Sequence, residues 1–581
     1  MKFGKFNKKW GVSIFAAIAI CGLAITPLVS NANGLFSTQT SSSIKKQSSL
    51  YSSKSNQSNN TNNIQESKYE DANGNIKRNG ITSDADISID MLRYQLKDTT
   101  TLVEMKSIAQ LQKYLERRNS VFDTNRVNIS SVDNSKSKYF PEIDTQGSLN
   151  SCTTWATAYY QMTYAVNKAL DRDGKLDENV MSPTWVYNLI NQGENQGTFY
   201  SDALLILSEV GCVPITTVPI ENYENGDNIV SMNAYKENWL EARKYRVKEY
   251  YTIDLKNDMY DTVFTCNTDA DLDMIKKALA TGEVLSATTY SDKWNKQTIE
   301  KSQYNMGNDK YIGQSIITRC DGNGYGAHRI TIVGYDDNIW VDINQNGIVE
   351  SGDKGAFKIA NSWGTWYDND GFVWMSYDAL NAVSSVKDSE NVTLTSSQRE
   401  TALFDVIGFT IDTDISDSDC YAAVELESDS AHQTRLVITA TSKDGNVSWT
   451  YKPVPFYNSS VILTPGVYPY NGYRSDNKGE FYIDLSNVVK GVTKETINNY
   501  NWYITVVDAI YDASDIKVNN AKLYIVSEDK YIDTDWTEPV TIDYGYKTFK
   551  VANPGVVDSF EETDIYLESD DPDQYYGDVL G

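Results

Sequence analysis

Histidine is nearly absent: the 581 residues include two, His328 and His432. Any chemistry that needs an imidazole base therefore has few candidates. Cysteine is also scarce, at six, which excludes a dense disulfide framework. Cys21 lies in the leader, leaving Cys152, Cys212, Cys266, Cys320 and Cys420. If Cys152 stays free, the other four form at most two disulfides or remain buried thiols. Basic residues are the minority charge, 52 Lys and Arg against 79 Asp and Glu, for a formal net charge of -27. That argues against nucleic acid as a partner and suits a secreted protein kept soluble by charge. The first apolar run, Val12 to Ile25, is too short to span a bilayer comfortably. It follows Lys2, Lys5, Lys8 and Lys9 and precedes the small residues Ser30-Asn31-Ala32. Residues 1–32 are expected to be a cleaved secretory signal peptide, the alternative being an uncleaved anchor.

What is present centres on Gln146-Gly147-Ser148-Leu149-Asn150-Ser151-Cys152-Thr153-Thr154-Trp155-Ala156. After Cys152 the apolar positions Trp155, Tyr159, Met162, Val166 and Ala169 trace one stripe of a helix. Asn150 or Ser151 can cap its start, and Asp173-Gly174 can end the excursion. A cysteine in the first turn feels the positive end of the helix dipole, which favours thiolate. A nucleophilic cysteine needs a base. His328 opens a strand-like run, His328-Arg329-Ile330-Thr331-Ile332-Val333, whereas His432 sits in the polar stretch Ser430-Ala431-His432-Gln433. His328 is thus the candidate. In Asn361-Ser362-Trp363-Gly364, Asn361 can accept from the imidazole N–H and Trp363 can shield the pair from water.

Gln146 and Cys152, then His328 at a strand start, then Asn361-Ser362-Trp363-Gly364, together resemble the papain family of cysteine proteases over about 131–395. Met181-Ser182-Pro183 and Asp202-Ala203-Leu204 fit as supporting pieces. The resemblance implies an α+β fold with two lobes, a helical left lobe and a β-barrel-like right lobe. It implies Cys152 as nucleophile, His328 as base and acid, Asn361 as the orienting group, and an oxyanion hole from Gln146 and the Cys152 backbone N–H. It also implies a substrate-binding wall near Gly197, in Gln196-Gly197-Thr198-Phe199. Leu149 stands where the family often carries a second cysteine, and the aromatic after the nucleophile is shifted to Trp155. Both mark a divergent branch, of bacterial type.

The His328-to-Asn361 separation is long, and Asp342-Ile343-Asn344-Gln345-Asn346-Gly347-Ile348-Val349-Glu350-Ser351-Gly352-Asp353 explains it. Asp342, Asn344, Asn346, Glu350 and Asp353 place oxygen ligands at positions 1, 3, 5, 9 and 12, Ile348 offers its carbonyl at 7, and Gly347 is at 6. The loop resembles those of EF-hands and dockerins and is expected to bind Ca2+, the alternative being a metal-free Asn/Gly turn. Its flanks read as strands, so it is expected to sit in a hairpin and to order the catalytic side of the cleft. Asp171 to Asp177 is a partial echo, read as a turn.

Residues 33–130 read as low-complexity linker and pro-segment. The left lobe is expected to run from about 140 to 250. Beyond 395, Arg435 to Ala440, a turn at Asp444-Gly445, Val447 to Tyr451, Glu480 to Leu485, Trp502 to Val507 and Lys522 to Val526 predict an all-β sandwich over 400–555. Its aromatics are expected to be mostly core. Residues 556–581 close the chain as an acidic tail. The expected function is a secreted, calcium-binding cysteine endopeptidase made as a zymogen, acting on protein or peptide. Its β-domain would be free to bind a cell-surface or wall polymer, with no membrane span once the signal is removed. The alternatives are an exopeptidase or transferase on the same fold, a catalytically idle surface adhesin working through the β-domain, and dockerin-type assembly.

Overall fold

The computed structural model describes residues 129–551, apart from 192, 194, 221–229, 254–268, 302–308, 322–326, 382–383, 385, 387–398, 401, 413–418, 457–468, 473–476, 510–513 and 537. The expected signal peptide, nearly all of the pro-segment, the acidic tail and Cys266 lie outside the described residues. No helix among the described residues is long and apolar enough to cross a membrane.

The helix that carries Cys152 starts at Cys152–Thr154, widens into a π-helical stretch at Trp155–Met162, and returns to α geometry at Thr163–Leu170. It ends earlier than expected, on Asp171 in the left-handed region (φ 53°). Trp155, Tyr159, Met162 and Val166 are buried as their spacing predicts, while Ala169 is exposed at the end. The opposite faces are buried as well, at Ala158, Tyr160 and Gln161. The reason is position: the helix lies in the seam between the helical half and a large sheet. Gln161 survives there because its Nε2 donates to the carbonyls of Val284 (3.2 Å) and Ile407 (2.9 Å). A second helix, Pro183–Ile190, begins at Pro183, and the Ser182 side chain accepts from Trp185 N–H. A third, Tyr200–Leu205, continues as a π-helical turn over Ile206–Val210.

The large sheet holds ten strands: β1 (Ser131–Asp133), β2 (Arg246–Ile253), β3 (Leu285–Thr289), β4 (Trp294–Thr298), β5 (Ser315–Asp321), β6 (His328–Trp340), β7 (Lys354–Ala360), β8 (Phe372–Ser376), β9 (Arg399–Glu400) and β10 (Phe404–Asp412). Their order is β2-β10-β3-β6-β7-β8-β5-β4, with β1 added to β6 and β9 to β5. Among the described residues the sheet ends at β2 and β4, and no closed barrel is seen. Two boundaries also move. Residues 246–250, expected in the helical half, begin a strand. β10, expected beyond the junction at 395–400, lies inside the sheet between β2 and β3.

After β10 come two antiparallel sheets. One takes β11 (Cys420–Glu427), β14 (Lys478–Asp484), β16 (Ile516–Ile525), β17 (Lys530–Asp533) and β18 (Val540–Ile542). The other takes β12 (Thr434–Ser442), β13 (Ser448–Tyr451), β15 (Tyr500–Asp508) and β19 (Gly545–Lys550). The β12–β13 hairpin turns at Asp444-Gly445, with Gly445 at φ 72°. Trp502, Tyr503, Tyr482 and Tyr524 are buried between or against these sheets. His432, expected in a polar loop, is buried too.

This β part is fused to the helical half by one continuous core. Trp185 meets Trp239 edge-on at 5.7 Å, and Trp239 meets Phe481 at 5.7 Å. Ala234 accepts from Glu480 N–H at 2.7 Å and donates to Asn471 Oδ1 at 2.7 Å. Lys236 reaches over the rings of Tyr524 (4.3 Å) and Tyr531 (5.2 Å). Arg246 pairs with the fully buried Asp484 at 2.5 Å, and Tyr451 donates to the Glu209 carboxylate.

Candidate active site

Cys152 begins its helix in a buried setting, 3 % exposed. Ser151 occupies the N-cap position but its side chain caps nothing; Asn150 is used elsewhere. The first helical turn packs against β6, the strand opened by His328. Asn361 follows β7, which pairs with β6, so the sheet register brings Asn361 to the imidazole. His328 Nε2 lies 2.8 Å from Asn361 Oδ1. The same Oδ1 accepts from Ser362 N–H at 2.8 Å. A backbone N–H can only donate, so the amide atom facing it is oxygen, and His328 Nε2 must carry the proton. Nδ1 is thereby left with its lone pair, buried and without a hydrogen-bond partner among the described residues.

Trp363 stacks on the imidazole, centroids 4.7 Å apart and planes 21° apart. Trp294 closes the other approach edge-on at 6.4 Å, its Nε1–H anchored on Thr289 Oγ1 at 2.8 Å. These rings cover two approaches to the imidazole. Gln146 is held by both ends of its side chain. Its Oε1 accepts from Ser362 Oγ at 2.6 Å and its Nε2 donates to Leu149 O at 2.6 Å. The amide orientation is therefore set, with the NH2 turned away from Ser362.

Gly197 is half-buried on a segment fastened to the stretch around Cys152. Asn195 Oδ1 accepts from Asn150 N–H (2.8 Å), its carbonyl accepts from Asn150 Nδ2 (3.0 Å), and Thr198 O accepts from Thr153 Oγ1 (3.0 Å). The structure thus brings Gln146, Cys152, His328, Asn361, Trp363 and the Gly197 segment to one region. Sequence reasoning missed Ser362, Asn195 and Trp294. Ser362 stood inside a motif already read; its link to Gln146 joins positions too far apart to leave a local signal.

No protein-family model matches the chain, and no curated protein matches it. Solved structures do. Xylellain, a cysteine protease from Xylella fastidiosa, is 17 % identical over 50 % of this chain and 89 % of its own, with a TM-score of 0.32. The bromelain protease from Ananas comosus is 14 % identical over 49 % of this chain and 100 % of its own, TM-score 0.31. Digestive procathepsin L 3 of Tenebrio molitor is 12 % identical over 63 % of this chain and 99 % of its own, TM-score 0.31. These papain-like cysteine proteases are what the chain is similar to.

Cys212, Cys320 and Cys420 are buried thiols, and none of the four cysteines among the described residues is in a disulfide. Burial pushes both Cys212 and Cys420 up to about 12.

The loop 342–353 joins β6 to β7, as the strand-like flanks predict. Gln345 and Gly347 take positive φ (57° and 76°), which curls the chain. Asp342 accepts from Asn346 N–H (3.0 Å) and Gly347 N–H (2.7 Å), and Asn346 Oδ1 accepts from Ile348 N–H (2.7 Å). Asp353 accepts from Ile343 N–H (3.1 Å) and Glu350 N–H (2.9 Å). Asn344 Nδ2 donates to Glu350 Oε2 at 2.9 Å. Burial, with the Asp342 and Glu350 charges adding to it, raises the Asp353 carboxyl to about 6. Among the described residues no three His, Cys, Asp or Glu side chains are gathered to hold a metal ion. The loop's donor set is mixed: three carboxylates, two amide oxygens and the Ile348 carbonyl, all hard oxygen, which is calcium chemistry. The loop lies at the far end of the hairpin from His328. Seven residue steps from Lys354 to Asn361 span roughly 23 Å along the strand.

Proposed function

We propose that this chain is a secreted cysteine endopeptidase that hydrolyses peptide bonds in protein or peptide substrates. One observation carries the reading. Asn361 Oδ1, held by Ser362 N–H, keeps the proton on His328 Nε2 and leaves Nδ1 free as a base beside the Cys152 helix. In the reaction, Nδ1 takes the Cys152 thiol proton. The thiolate, favoured at a helix start, attacks the scissile carbonyl carbon. The oxyanion that forms is met by Gln146 Nε2–H and the Cys152 N–H, donors of a kind typically worth about 3–4 kcal/mol of barrier. His328 then gives its Nδ1 proton to the leaving amine, the C–N bond breaks, and an acyl-thioester remains. Water, deprotonated by the same Nδ1, releases the acid and restores the thiol. The Gly197 segment and Trp363 would border the substrate.

Secretion and synthesis as a zymogen rest on the leader and on the polar segment before residue 131. Calcium at 342–353 rests on the hard oxygen donor set of the loop. Bound there, the ion would pin the hairpin end.

The test is intact mass after exposure to an epoxide-type cysteine-protease inactivator, on the leaderless chain and on protein trimmed to start near residue 131. One adduct on the wild type and none on Cys152→Ala is expected. No adduct on either form of the wild type would overturn the peptidase reading and leave a binding protein acting through its β sheets.

A further inference from the structure

Tyr160 is 1 % exposed, yet it keeps a polar atom in the seam between the helical half and the large sheet. Its hydroxyl donates to the Asn361 carbonyl at 2.9 Å and accepts from Asp144 N–H at 3.5 Å. One oxygen therefore touches three segments of the site. Tyr160 stands on the helix that Cys152 begins, Asp144 opens the stretch that carries Gln146, and Asn361 holds the imidazole. The last two segments are also tied to each other, by Gln146 N–H to Ser362 O at 2.9 Å and Gly364 N–H to Asp144 O at 3.2 Å. Tyr160 adds the helix to this pair. The Asn361 residue is fully buried, so its carbonyl without the phenol would lose a partner that water could not replace.

The shape of the helix puts Tyr160 there. In an unbroken α-helix it would sit about 80° around the axis from Cys152. The π-helical stretch Trp155–Met162 turns less per residue, which brings Tyr160 back toward the Cys152 face. Such stretches are rare and recur at functional sites. The ring is then clamped: Phe140 stacks on it (5.4 Å, 5°) and Tyr159 meets it edge-on (5.0 Å, 88°). Burial pushes the phenol's ionisation well up, so it stays a donor. A second bond crosses the same seam without touching Asn361, from Thr331 Oγ1 to Ala156 O at 3.3 Å.

We propose that Tyr160 is a positioning residue of the reaction, its hydroxyl locking the Asn361 turn to the helix of Cys152 and so setting the distance between His328 Nδ1 and the thiol. This rests on the peptidase reading above. The hydroxyl touches no reacting atom; it acts through Asn361 on one side and through the helix on the other.

The test removes the hydroxyl and keeps the ring, on the leaderless chain and on the trimmed form. Tyr160→Phe is expected to lower kcat on the order of tenfold to a hundredfold at nearly unchanged KM, the scale of a small misplacement of reacting groups. The rate of Cys152 alkylation by iodoacetamide across pH, read by peptide mapping, is a readout that lost stability alone does not move. Wild type is expected to keep reacting well below the ordinary thiol range, because imidazolium stands beside thiolate. In Tyr160→Phe the acid limb should move up by about one pH unit as that pair loosens. Thr331→Val, which removes the neighbouring bond, should leave the limb in place; an equal shift there would assign the effect to the seam at large and overturn the proposal. A folded Tyr160→Phe with the wild-type limb and kcat overturns it too. Should that variant not fold, Phe140→Leu, which frees the ring and keeps the hydroxyl, reads the same limb, and an unmoved limb there also overturns the proposal. A wild type that neither reacts below the ordinary thiol range nor turns over peptide, in either form, overturns the peptidase reading and the role of Tyr160 with it.

Discussion

Asn361 acts through one oxygen that accepts twice, from Ser362 N–H and from His328 Nε2. Removing it frees the imidazole to rotate and to take the other tautomer, with Nδ1 protonated and useless as a base. Asn361→Ala is expected to lower kcat/KM on the order of a hundredfold, the scale of acid–base assistance. Initial rates across pH check this, and a variant with wild-type rates would remove the anchor from the account. The other cysteines give a contrast at the same scale. Cys212 and Cys420 are held near 12 by burial. An unfolded thiol titrates near ~8.5, so each of these neutral thiols favours the folded state fully below that pH, and the benefit drains as pH climbs toward 12. Alkylation at pH 8 is expected to modify neither until denaturant is added, whereas Cys152 reacts in the folded protein; peptide mapping reads this. Cys152, His328, Asn361 and Gln146 were legible because histidine is so rare and because Cys, Asn-Ser-Trp-Gly and Gln fall in a readable order. Ser362 to Gln146, and Asn195 to Asn150, were not, because each bond joins distant stretches and each residue alone is an ordinary polar side chain.

The β6–β7 hairpin carries His328 at one end and the oxygen-rich loop at the other. That separation changes what calcium should do. Calcium is expected to raise the thermal midpoint, with the rise lost in Asp342→Ala, while initial rates at low temperature stay close to those without the ion. A calcium titration followed by scanning calorimetry decides it; the absence of any shift would remove the ion from the loop. Strands with alternating or β-branched runs, such as β3, β12 and β15, were readable locally. The helix of Cys152 was readable on one stripe only. Its remaining faces are buried by a sheet assembled from far along the chain, and Gln161 on such a face gives no apolar signal. β10 was unreadable as part of that sheet for the same reason, since nothing in its own residues says which sheet it joins.

At the scale of the whole molecule, the β part is welded rather than tethered. Arg246 and Asp484 meet at 2.5 Å with side chains 12 % and 1 % exposed. Asp484→Ala would leave a guanidinium buried without its carboxylate and is expected to cost about 3–5 kcal/mol. Denaturant unfolding checks this, and two separate transitions in the wild type would contradict the shared core. Alternating runs such as Arg435 to Ala440 and Trp502 to Val507 mark strands locally but not their attachment, because residues such as Ala234, Trp239 and Phe481 meet only in the folded state.

β10 sets a timetable for biosynthesis. When residue 395 leaves the ribosome, every residue named for the chemistry has been made. The sheet still lacks its interior strand, and Gln161 still lacks the Ile407 carbonyl it bonds at 2.9 Å. The helix of Cys152 therefore completes its contacts with the sheet only after residue 412 has emerged.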